Sequence, residues 1–599
     1  MRPESSSRNA IDSAFFFSIR LSVSVATPSC APVRNTSESL ICPSGDSLTT
    51  RQIAGRWRAV SETSVRGDLE WGTIPHLLRS SADRFSAREA IVDVSDGTSL
   101  SFTGIAAAAH DAARAFMALG VERGDRVAIW APNVWEWVVA ALGLHSTGAV
   151  LVPLNTRFKG REAAYILGKA RTKALVTITG FLDTDYVALL RDAVDVESEL
   201  PDLETIVVMR GDAPTGTRSW DEFLDGGDAV GSAEAGVRAL SVEPDDLSDI
   251  LFTSGTTGNP KGAMLTHAQT LRAYRDWSEV VGLRDRDRYL IVNPFFHAFG
   301  YKAGWLAALM MGATILPQAV FDAEQVLARV PRDRVTVLPG PPTLYQTILN
   351  HPAREEHDLS SLRLAVTGAA AIPVELILRM REEMTFETII TGYGLTEACG
   401  IATMCRYDDD PETIATTSGR AIPGVEVRVV DELGVEVARG EPGEVVIRGY
   451  NVMRAYLDEP EETEAAIDGD GWLHTGDVGV MDERGYLRIT DRTKDMFIVG
   501  GFNAYPAEIE NLLLRNEAVA QVAVVGVPDD RMGEVGMAFV VPRPGARVAP
   551  DDFIAWCRSE MANYKVPRHV EIVDELPLNA TGKVLKYELR DRGAKLVNG

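Results

Sequence analysis

Short runs of Val, Ile and Leu alternate with amphipathic stretches along much of the 599-residue chain, chiefly between residues 100 and 390. Continuous apolar runs indicate buried strands, whereas apolar residues three and four apart indicate helices. The pattern predicts strands at 126–130, 289–292, 314–316, 335–338 and 362–367, and helices near 73–84, 299–311, 322–330 and 373–384. Strands that alternate with helices are typical of βαβ units, so we expect an α/β fold with largely parallel sheets.

The pattern changes near residue 418, where short strands separated by glycine turns begin. A smaller unit follows, with predicted helices at 506–514 and 550–560 and predicted strands at 519–527, 536–541 and 569–573. Pro506 suits the first turn of its helix, where a missing N–H removes no hydrogen bond. We therefore predict a large domain over 69–491, which includes a small β-rich subdomain, and a small α/β domain over 492–599.

The first 68 residues have a different composition, rich in Ser and Arg and poor in acidic residues. We predict a disordered extension over 1–68, or upstream sequence included by a misplaced start. A targeting peptide with its apolar part at 15–17 is the alternative, although Arg20 interrupts what would be the apolar core of a secretory signal.

Composition and charge narrow the classes of function. The net charge of −25 and the pI near 4.9 leave no general basic surface, which excludes a nucleic-acid-binding protein. The five Cys show neither metal-binding nor disulfide spacing, as is typical of a reducing compartment, and we expect a cytoplasmic location. The apolar runs are too short for a transmembrane helix, so no integral membrane contact is expected. Ten Lys stand against fifty Arg, and three of the Lys lie in glycine-containing motifs: Lys261, Lys494 and Lys583.

The clearest chemical signal directly follows a predicted strand at 249–252. The next residues are rich in Thr, Ser and Gly, and their hydroxyls and accessible backbone, with a Lys charge, are chemistry for holding a polyphosphate. A Walker loop requires a second Gly and a Ser or Thr where this chain has Pro260 and Gly262, so a P-loop NTPase or kinase is disfavoured. The candidate phosphate ligands are Thr253, Ser254, Gly255, Thr256, Thr257, Gly258 and Lys261.

This segment resembles the signature of the adenylate-forming superfamily, which includes acyl-CoA synthetases, coumarate-CoA ligases, luciferases and peptide-synthetase adenylation domains. The resemblance extends over residues 70–592, because further motifs follow in the family's order at 392–397, 472–477, 491–495 and 577–583. It implies two half-reactions: a carboxylate attacks the α-phosphate of ATP, and a thiol then attacks the acyl-adenylate. It also implies a mobile small domain that rotates about a hinge between these steps.

The resemblance assigns roles to individual residues. It implies that Thr396 contacts the α-phosphate, that Glu397 ligates Mg²⁺, and that Lys583 bridges the carboxylate and the α-phosphate. Tyr393 would stack on adenine, and Lys494 would be the hinge. The remaining implied AMP-binding residues are Gly368, Ala369, Ala370, Gly392, Asp477 and Arg492, and the implied CoA-binding residues are Gly500, Gly501 and Phe502.

The motif at 294–300 resembles the segment that gates the acyl pocket in CoA ligases, and it would place His297 between the carboxylate and the thiol entry. Amino-acid adenylation domains need an acidic residue near this point, and its absence here favours CoA as the acceptor. Tyr301 and Lys302 are either polar contacts for a substrate ketone or surface residues. The implied pocket residues are Phe299, Ala303, Gly340, Gly394, Gly400 and Ile401; because many are small, we expect an open pocket floor and a bulky or extended acyl group.

The whole chain is most similar to actinobacterial ligases that activate ring-bearing propionates in steroid breakdown. We therefore predict an acyl-CoA ligase that uses ATP, Mg²⁺ and coenzyme A and releases AMP and pyrophosphate. A medium- or long-chain fatty acid ligase and an acyl-AMP ligase serving a carrier protein are the alternatives. The context of Lys583 also resembles an acetylation site, which makes a lysine acetyltransferase and a deacetylase candidate partners.

Overall fold

The computed structural model describes residues 71–253, 259–368, 372, 374–431, 433–492, 497–504, 506–543, 545–577, 584 and 586–598. The predicted extension over 1–68 lies outside these residues. Buried apolar side chains form two principal cores, one drawn from residues between Trp71 and Leu487 and the other from residues between Phe497 and Leu589. A large domain followed by a small one is therefore present, as predicted.

The largest sheet of the large domain has eight described strands. Its central strands pair in parallel and are almost continuous runs of buried apolar residues, because both of their faces are covered. An antiparallel hairpin closes one side. In order across the sheet, the strands are Ala455–Tyr456, Lys261–Thr266, Leu247–Thr253, Val150–Pro153, Arg126–Trp130, Thr172–Thr177, Thr205–Val208 and Arg218–Ser219.

Two further groups of four strands are linked by Val337, which bridges in parallel to Tyr289 and to Leu364. The strands of the first group are, in order, Arg288–Ile291, Thr314–Pro317, Glu89–Asp93 and Thr98–Ser101. Those of the second group are Leu364–Gly368, Thr388–Tyr393, Thr403–Met404 and Arg420–Ala421. In each group the strands nearest Val337 pair in parallel and those farthest from it pair antiparallel, so the sheets are mixed.

Helices cover these sheets, and their starts follow local capping chemistry. The first described helix begins after Thr73, whose hydroxyl accepts from the amide of His76 at 3.3 Å. The α-helices of the large domain are Ile74–Phe85, Phe102–Ala118, Trp135–Thr147, Gly160–Lys169, Tyr186–Ala193, Val196–Glu199, Trp220–Gly226, Ser232–Leu240, His267–Val281, Ala298–Gly300, Ala307–Met311, Ala323–Asp333, Pro342–Leu349, Val374–Glu383, Pro411–Thr416 and Pro460–Ala466. The 3₁₀ turns are Gly227–Ala229, Pro352–Glu356 and Thr396–Ala398.

Two predicted elements differ from the structure. Residues 335–338 form an isolated bridge at Val337 instead of a full strand. The helix predicted near 299–311 is divided by a π-helical stretch, Tyr301–Leu306. A stretch of this kind inserts an extra residue into the helical repeat, and it frequently marks a functional site.

The remaining strands form two antiparallel units. The β-rich subdomain of the large domain contains Val425–Val430, Pro442–Gly449, Leu473–Met481 and Leu487–Arg492. The small domain contains, in sheet order, Phe502–Ala504, Phe497–Val499, Gly533–Pro542 and Val519–Asp529, with His569–Ile572 parallel to the third of these. Its helices are Pro506–Leu513, Pro550–Glu560 and Lys586–Asn598.

Within the part of the chain that the structure describes, no helix is both long enough and apolar enough to cross a membrane.

Candidate active site

The strand that leads to the predicted phosphate loop ends at Thr253, and the chain returns beside it from Lys261. In the register of this hairpin Thr253 lies opposite Lys261, so the sheet fixes both ends of the loop. The other predicted phosphate ligands, Ser254, Gly255, Thr256, Thr257 and Gly258, lie outside the described residues.

Two hydroxyl groups hold the carboxylate of Glu397. Thr253 Oγ1 donates to Glu397 Oε1 at 3.1 Å, and the Tyr456 hydroxyl donates to the same oxygen at 2.9 Å. Glu397 is half-buried in the one-turn helix Thr396–Ala398, which follows the end of a parallel strand. The fold therefore brings the predicted metal ligand and the neighbouring Thr396 to the edge of the predicted phosphate loop.

Hydrogen bonds to the residues that follow Glu397 fix the turn that carries it. Cys399 has a left-handed φ of 58°, which is uncommon for a residue other than Gly. Its carbonyl accepts from the buried hydroxyl of Tyr274 at 2.9 Å, and Asn451 Nδ2 donates to the carbonyl of Ile401 at 2.7 Å. Buried hydrogen bonds on both sides of an unusual backbone conformation preorganise the carboxylate before any ligand binds.

The predicted adenine and ribose residues also converge. The Tyr393 hydroxyl donates to Asp477 Oδ2 at 2.6 Å, and Arg492 lies opposite Asp477 in an antiparallel strand pair. Gly368 lies opposite Gly392 in a parallel pair, and a Cβ at Gly368 would stand 3.0 Å from the carbonyl oxygen of Gly392. Gly368, Gly392 and Tyr393 therefore lie at the carboxyl ends of neighbouring parallel strands, which is where α/β sheets bind ligands, and the Tyr393 hydrogen bond brings Asp477 of the antiparallel subdomain to the same place.

Tyr456 is a site residue that the sequence motifs do not reveal. Besides its hydrogen bond to Glu397, its ring lies 5.3 Å from the ammonium of Lys261, which also forms an ion pair with Glu462. Tyr456 comes from a two-residue strand that pairs with the strand beginning at Lys261. Such a short strand leaves no periodic signal, so only the sheet pairing identifies it.

His297 lies at the start of a short helix, and solvent reaches its ring. Its Nδ1 accepts from the amide of Phe299 at 3.3 Å. Desolvation lowers the pKa of the imidazole, which favours its neutral form.

The glycines of the predicted acyl pocket are small for a packing reason. A Cβ at Gly394 would lie 2.4 Å from the carbonyl oxygen of Gly400. A Cβ at Gly400 would lie 2.6 Å from the Tyr274 hydroxyl and 2.9 Å from Ala298 Cβ. These glycines therefore permit close backbone approach, and they give no support to an open pocket floor. Of the other predicted pocket residues, Phe299 is half-buried, whereas Ala303, Gly340 and Ile401 are buried.

The predicted CoA-binding residues form the tip of a hairpin in the small domain. Gly500 and Gly501 have φ values of 55° and 86°, the left-handed turn geometry that glycine accommodates. A Cβ at Gly501 would lie 3.5 Å from Pro341 Cγ of the large domain. The Arg157 guanidinium lies 4.0 Å from the centroid of the Phe502 ring. The hairpin thus lies against the large domain through both its turn and Phe502.

Lys302 and Tyr301 are fully buried, so their placement on the surface is wrong. The Lys302 ammonium lies 2.9 Å from Asp249 Oδ1 and donates to Thr270 Oγ1 at 2.9 Å. The Tyr301 hydroxyl lies 3.0 Å from His145 Nε2. Both polar groups therefore already have partners inside the protein, and neither is available for a substrate ketone.

Several predicted site residues lie outside the described residues: Ala369, Ala370, Lys494 and Lys583.

Comparisons with known proteins agree with this arrangement. A family model described as AMP-binding enzyme matches residues 78–457, and one described as AMP-binding enzyme C-terminal domain matches residues 508–583. Two CoA ligases named for a 7a-methyl-1,5-dioxo-octahydro-1H-inden-4-yl propanoyl group, from Rhodococcus jostii and Mycobacterium tuberculosis, are each 52% identical to this chain. The first match covers 87% of this chain and 98% of that protein, and the second covers 81% and 92%.

Solved structures support the same fold. A double mutant of o-succinylbenzoate CoA synthetase from Bacillus subtilis, bound to a product analogue, superposes with a TM-score of 0.71. It is 27% identical, and the match covers 86% of this chain and 98% of that chain. The two-domain α/β fold and the hydroxyl-held carboxylate define an enzyme of the adenylate-forming type. This chain belongs to the AMP-binding enzyme family, and the predicted fold class and enzyme class are confirmed.

Proposed function

We propose that this chain is an ATP-dependent acyl-CoA ligase that joins a ring-bearing propionate from steroid catabolism to coenzyme A. The observation that carries the proposal is 52% identity, over 98% of its length, to the Rhodococcus jostii ligase. The name of that relative describes a propanoyl group on a fused bicyclic ring with an angular methyl group. This is the chemistry of a partly degraded steroid.

The first half-reaction in this proposal is the attack of the substrate carboxylate on the α-phosphate of ATP, with pyrophosphate as the leaving group. The carboxylate is ionised at neutral pH, so no general base is needed. Negative charge develops on the α-phosphoryl oxygens, and catalysis is therefore positioning and electrostatic stabilisation. Thr396 donates a hydrogen bond there, and Lys583 brings a positive charge to the carboxylate and the α-phosphate.

The β- and γ-phosphates bind to the loop that begins at Thr253 and to Lys261. Because Lys261 is paired with Glu462 in this structure, the polyphosphate takes the place of that carboxylate when it binds. Asp477 accepts hydrogen bonds from the ribose hydroxyls, and the Tyr393 ring stacks on adenine.

Glu397 fits the magnesium ion that the family implies. Mg²⁺ prefers hard oxygen ligands, and Glu397 offers a carboxylate whose Oε1 is oriented by the hydroxyls of Thr253 and Tyr456. When bound, the ion supplies neutralisation of phosphate charge. Because neutral hydroxyl groups already orient the carboxylate of Glu397, this side chain needs little rearrangement to bind the ion.

The second half-reaction requires a thiol at the acyl-adenylate while water is kept out. The hairpin tip formed by Gly500, Gly501 and Phe502 lies against the large domain, where it can line the path of the CoA thiol. The lowered pKa of His297 favours its neutral form, in which the imidazole takes up the proton of the thiol as the C–S bond forms and AMP leaves. We propose a cytoplasmic location for this chemistry.

A pyrophosphate-release screen of the wild-type protein tests the proposal. The acids are an indane-type propionate, medium- and long-chain fatty acids and aromatic acids, each assayed with and without CoA. We expect the highest kcat/KM for the ring-bearing propionate and formation of its CoA thioester. Preference for a fatty acid would overturn the substrate proposal, and pyrophosphate release without acyl-CoA would indicate an acyl-AMP ligase.

The assignment of Lys583 has its own test. Lys583→Ala is expected to lower the rate of pyrophosphate release on the order of 100-fold, as loss of one preorganised transition-state donor does. Thioester formation from a supplied acyl-adenylate should change by less than about threefold, because the charge acts in the first half-reaction only. Lys586→Ala is the matched control, since Lys586 pairs with Glu510 at 2.7 Å. Equal losses in both half-reactions of Lys583→Ala would contradict the assignment.

Acetylation of Lys583 by a lysine acetyltransferase belongs to the same proposal, because acetylation removes the charge. An acetylated protein that retains full pyrophosphate release would count against it.

A further inference from the structure

One lysine of the small domain is almost completely enclosed at the contact with the large domain. The side chain of Lys565 is 1% exposed, and its ammonium lies 2.7 Å from Glu162 Oε1 and 2.6 Å from Glu508 Oε1. Glu508 belongs to the small domain, whereas Glu162 belongs to a helix of the large domain. The ammonium also lies 4.8 Å from the centroid of the Phe158 ring. Lys565 therefore connects the two domains through a buried ion pair.

The carboxylate on the large-domain side is held in place independently of Lys565. Glu162 Oε2 accepts from the N-cap amide of Lys159 at 2.9 Å, at the start of the helix Gly160–Lys169. The other oxygen is thereby presented to the small domain. Since the cap needs no partner from the small domain, the site for Lys565 persists when the domains separate.

The same contact orients the hairpin that is proposed to line the CoA path. Arg157, close to Glu162 in the chain, lies over the ring of Phe502, and Phe502 stacks on Tyr564 at a centroid distance of 5.1 Å. Tyr564 precedes Lys565. Gly501 of the hairpin lies against Pro341, beside the predicted pocket residue Gly340. The ion pair and the hairpin tip are thus two ends of one interface.

We propose that Lys565 and Glu162 are positioning residues that hold the small domain in the orientation used for thioester formation. This inference rests on the proposed two-step ligation. In this orientation the pair is removed from water, and its attraction is screened little. When the small domain rotates away, Lys565 keeps its partner Glu508, and Glu162 keeps its cap. The pair can therefore open without leaving an isolated buried charge, which suits a contact that forms and breaks in each turnover.

Lys565 keeps its positive charge at neutral pH. Burial alone would lower the pKa of its ammonium, but Tyr564 and the two carboxylates raise this pKa well above its ordinary value.

Glu162→Gln is the sharpest test, because glutamine can still cap the helix while the interdomain charge pair is lost. The rate of thioester formation from a supplied acyl-adenylate is expected to fall about tenfold or more, as for loss of one partner of a buried charged pair. The KM for CoA should rise, because the tip that lines its path is no longer held. Pyrophosphate release in the first half-reaction should change by less than about twofold, since Glu162 pairs with Lys159 and Lys565 and, among the described residues, with none of the predicted nucleotide site.

Lys169→Met is the matched control. Lys169 ends the same helix and pairs with Glu459 at 2.7 Å, within the large domain. It should leave both half-reactions unchanged. Lys565→Met should reproduce the selective loss, and the double variant with Glu162→Gln should be little worse than Lys565→Met alone, because both remove one interaction. Thermal unfolding would confirm that each variant is folded.

Equal slowing of both half-reactions by Glu162→Gln, or no slowing of either, would overturn this proposal. A wild-type protein that releases no pyrophosphate with any carboxylic acid would instead overturn the proposed function itself.

Discussion

Lys302→Met is a substitution for which the structure predicts a large loss of stability. Lys302 and Asp249 are both 0% exposed, and the ammonium and carboxylate are 2.9 Å apart. Although the two groups are close, the ammonium does not have the angles of a hydrogen bond to Asp249 Oδ1. No other described group donates a hydrogen bond to this oxygen. Methionine matches the length of the lysine stem but leaves Asp249 as an uncompensated buried charge. Loss of one partner of a buried ion pair typically costs about 3–5 kcal/mol, and we expect a decrease of this size in the free energy of unfolding.

Urea denaturation at constant pH measures this effect, with the m-value used to check that the extent of unfolding is unchanged. The double variant Lys302→Met with Asp249→Asn is expected to recover at least about 2 kcal/mol, because it removes the unpaired charge as well. A loss below about 1 kcal/mol, or a double variant no more stable than Lys302→Met, would refute the reasoning.

Two further predictions concern His267 and Tyr456. The pKa of buried His267 is lowered from 6.5 to about 4, chiefly by desolvation. Its contribution to stability is therefore complete above pH 6.5 and is lost as the pH falls toward 4, by roughly 3 kcal/mol in total. Urea midpoints of wild type and His267→Gln between pH 7 and pH 4 should converge as the pH falls, and parallel curves would contradict the assignment. Tyr456→Phe removes the 2.9 Å hydrogen bond to the Glu397 carboxylate and should slow pyrophosphate release about tenfold, as expected for a hydrogen bond to a charged group. Thioester formation from supplied acyl-adenylate is the internal control, and an unchanged release rate would show that Glu397 does not depend on Tyr456.

The candidate site could be located from the sequence to a useful degree, because its signals are local. A run of hydroxyl and glycine residues after an apolar strand indicates a polyphosphate loop from composition alone. Glu397 and Asp477 follow from motifs a few residues long that resemble those of the adenylate-forming superfamily. The structure places Thr253 and Glu397 within hydrogen-bond distance, as a shared site requires. Their individual roles in catalysis stay predictions.

The acyl pocket shows where local reasoning failed. The sequence suggested that Gly394 and Gly400 leave an open pocket floor, but a Cβ at Gly394 would meet the backbone of Gly400, and a Cβ at Gly400 would meet the side chains of Tyr274 and Ala298. A glycine in a sequence does not distinguish empty space from a neighbouring chain. Only the packing around the glycine distinguishes empty space from a neighbouring segment. The size of the acyl group that the enzyme accepts must therefore be measured in the substrate screen.

The lysines of this chain separate what the sequence determined from what the tertiary structure decided. Their scarcity against fifty Arg made Lys261 and Lys583 informative inside glycine-rich motifs. Nothing in the local sequence set Lys302 or Lys565 apart from surface lysines. Their partners are far away in the chain: Glu162 lies 403 residues from Lys565. Periodicity and short motifs report neighbours in sequence, whereas a buried charge is defined by residues that only strand pairing and domain contact bring together.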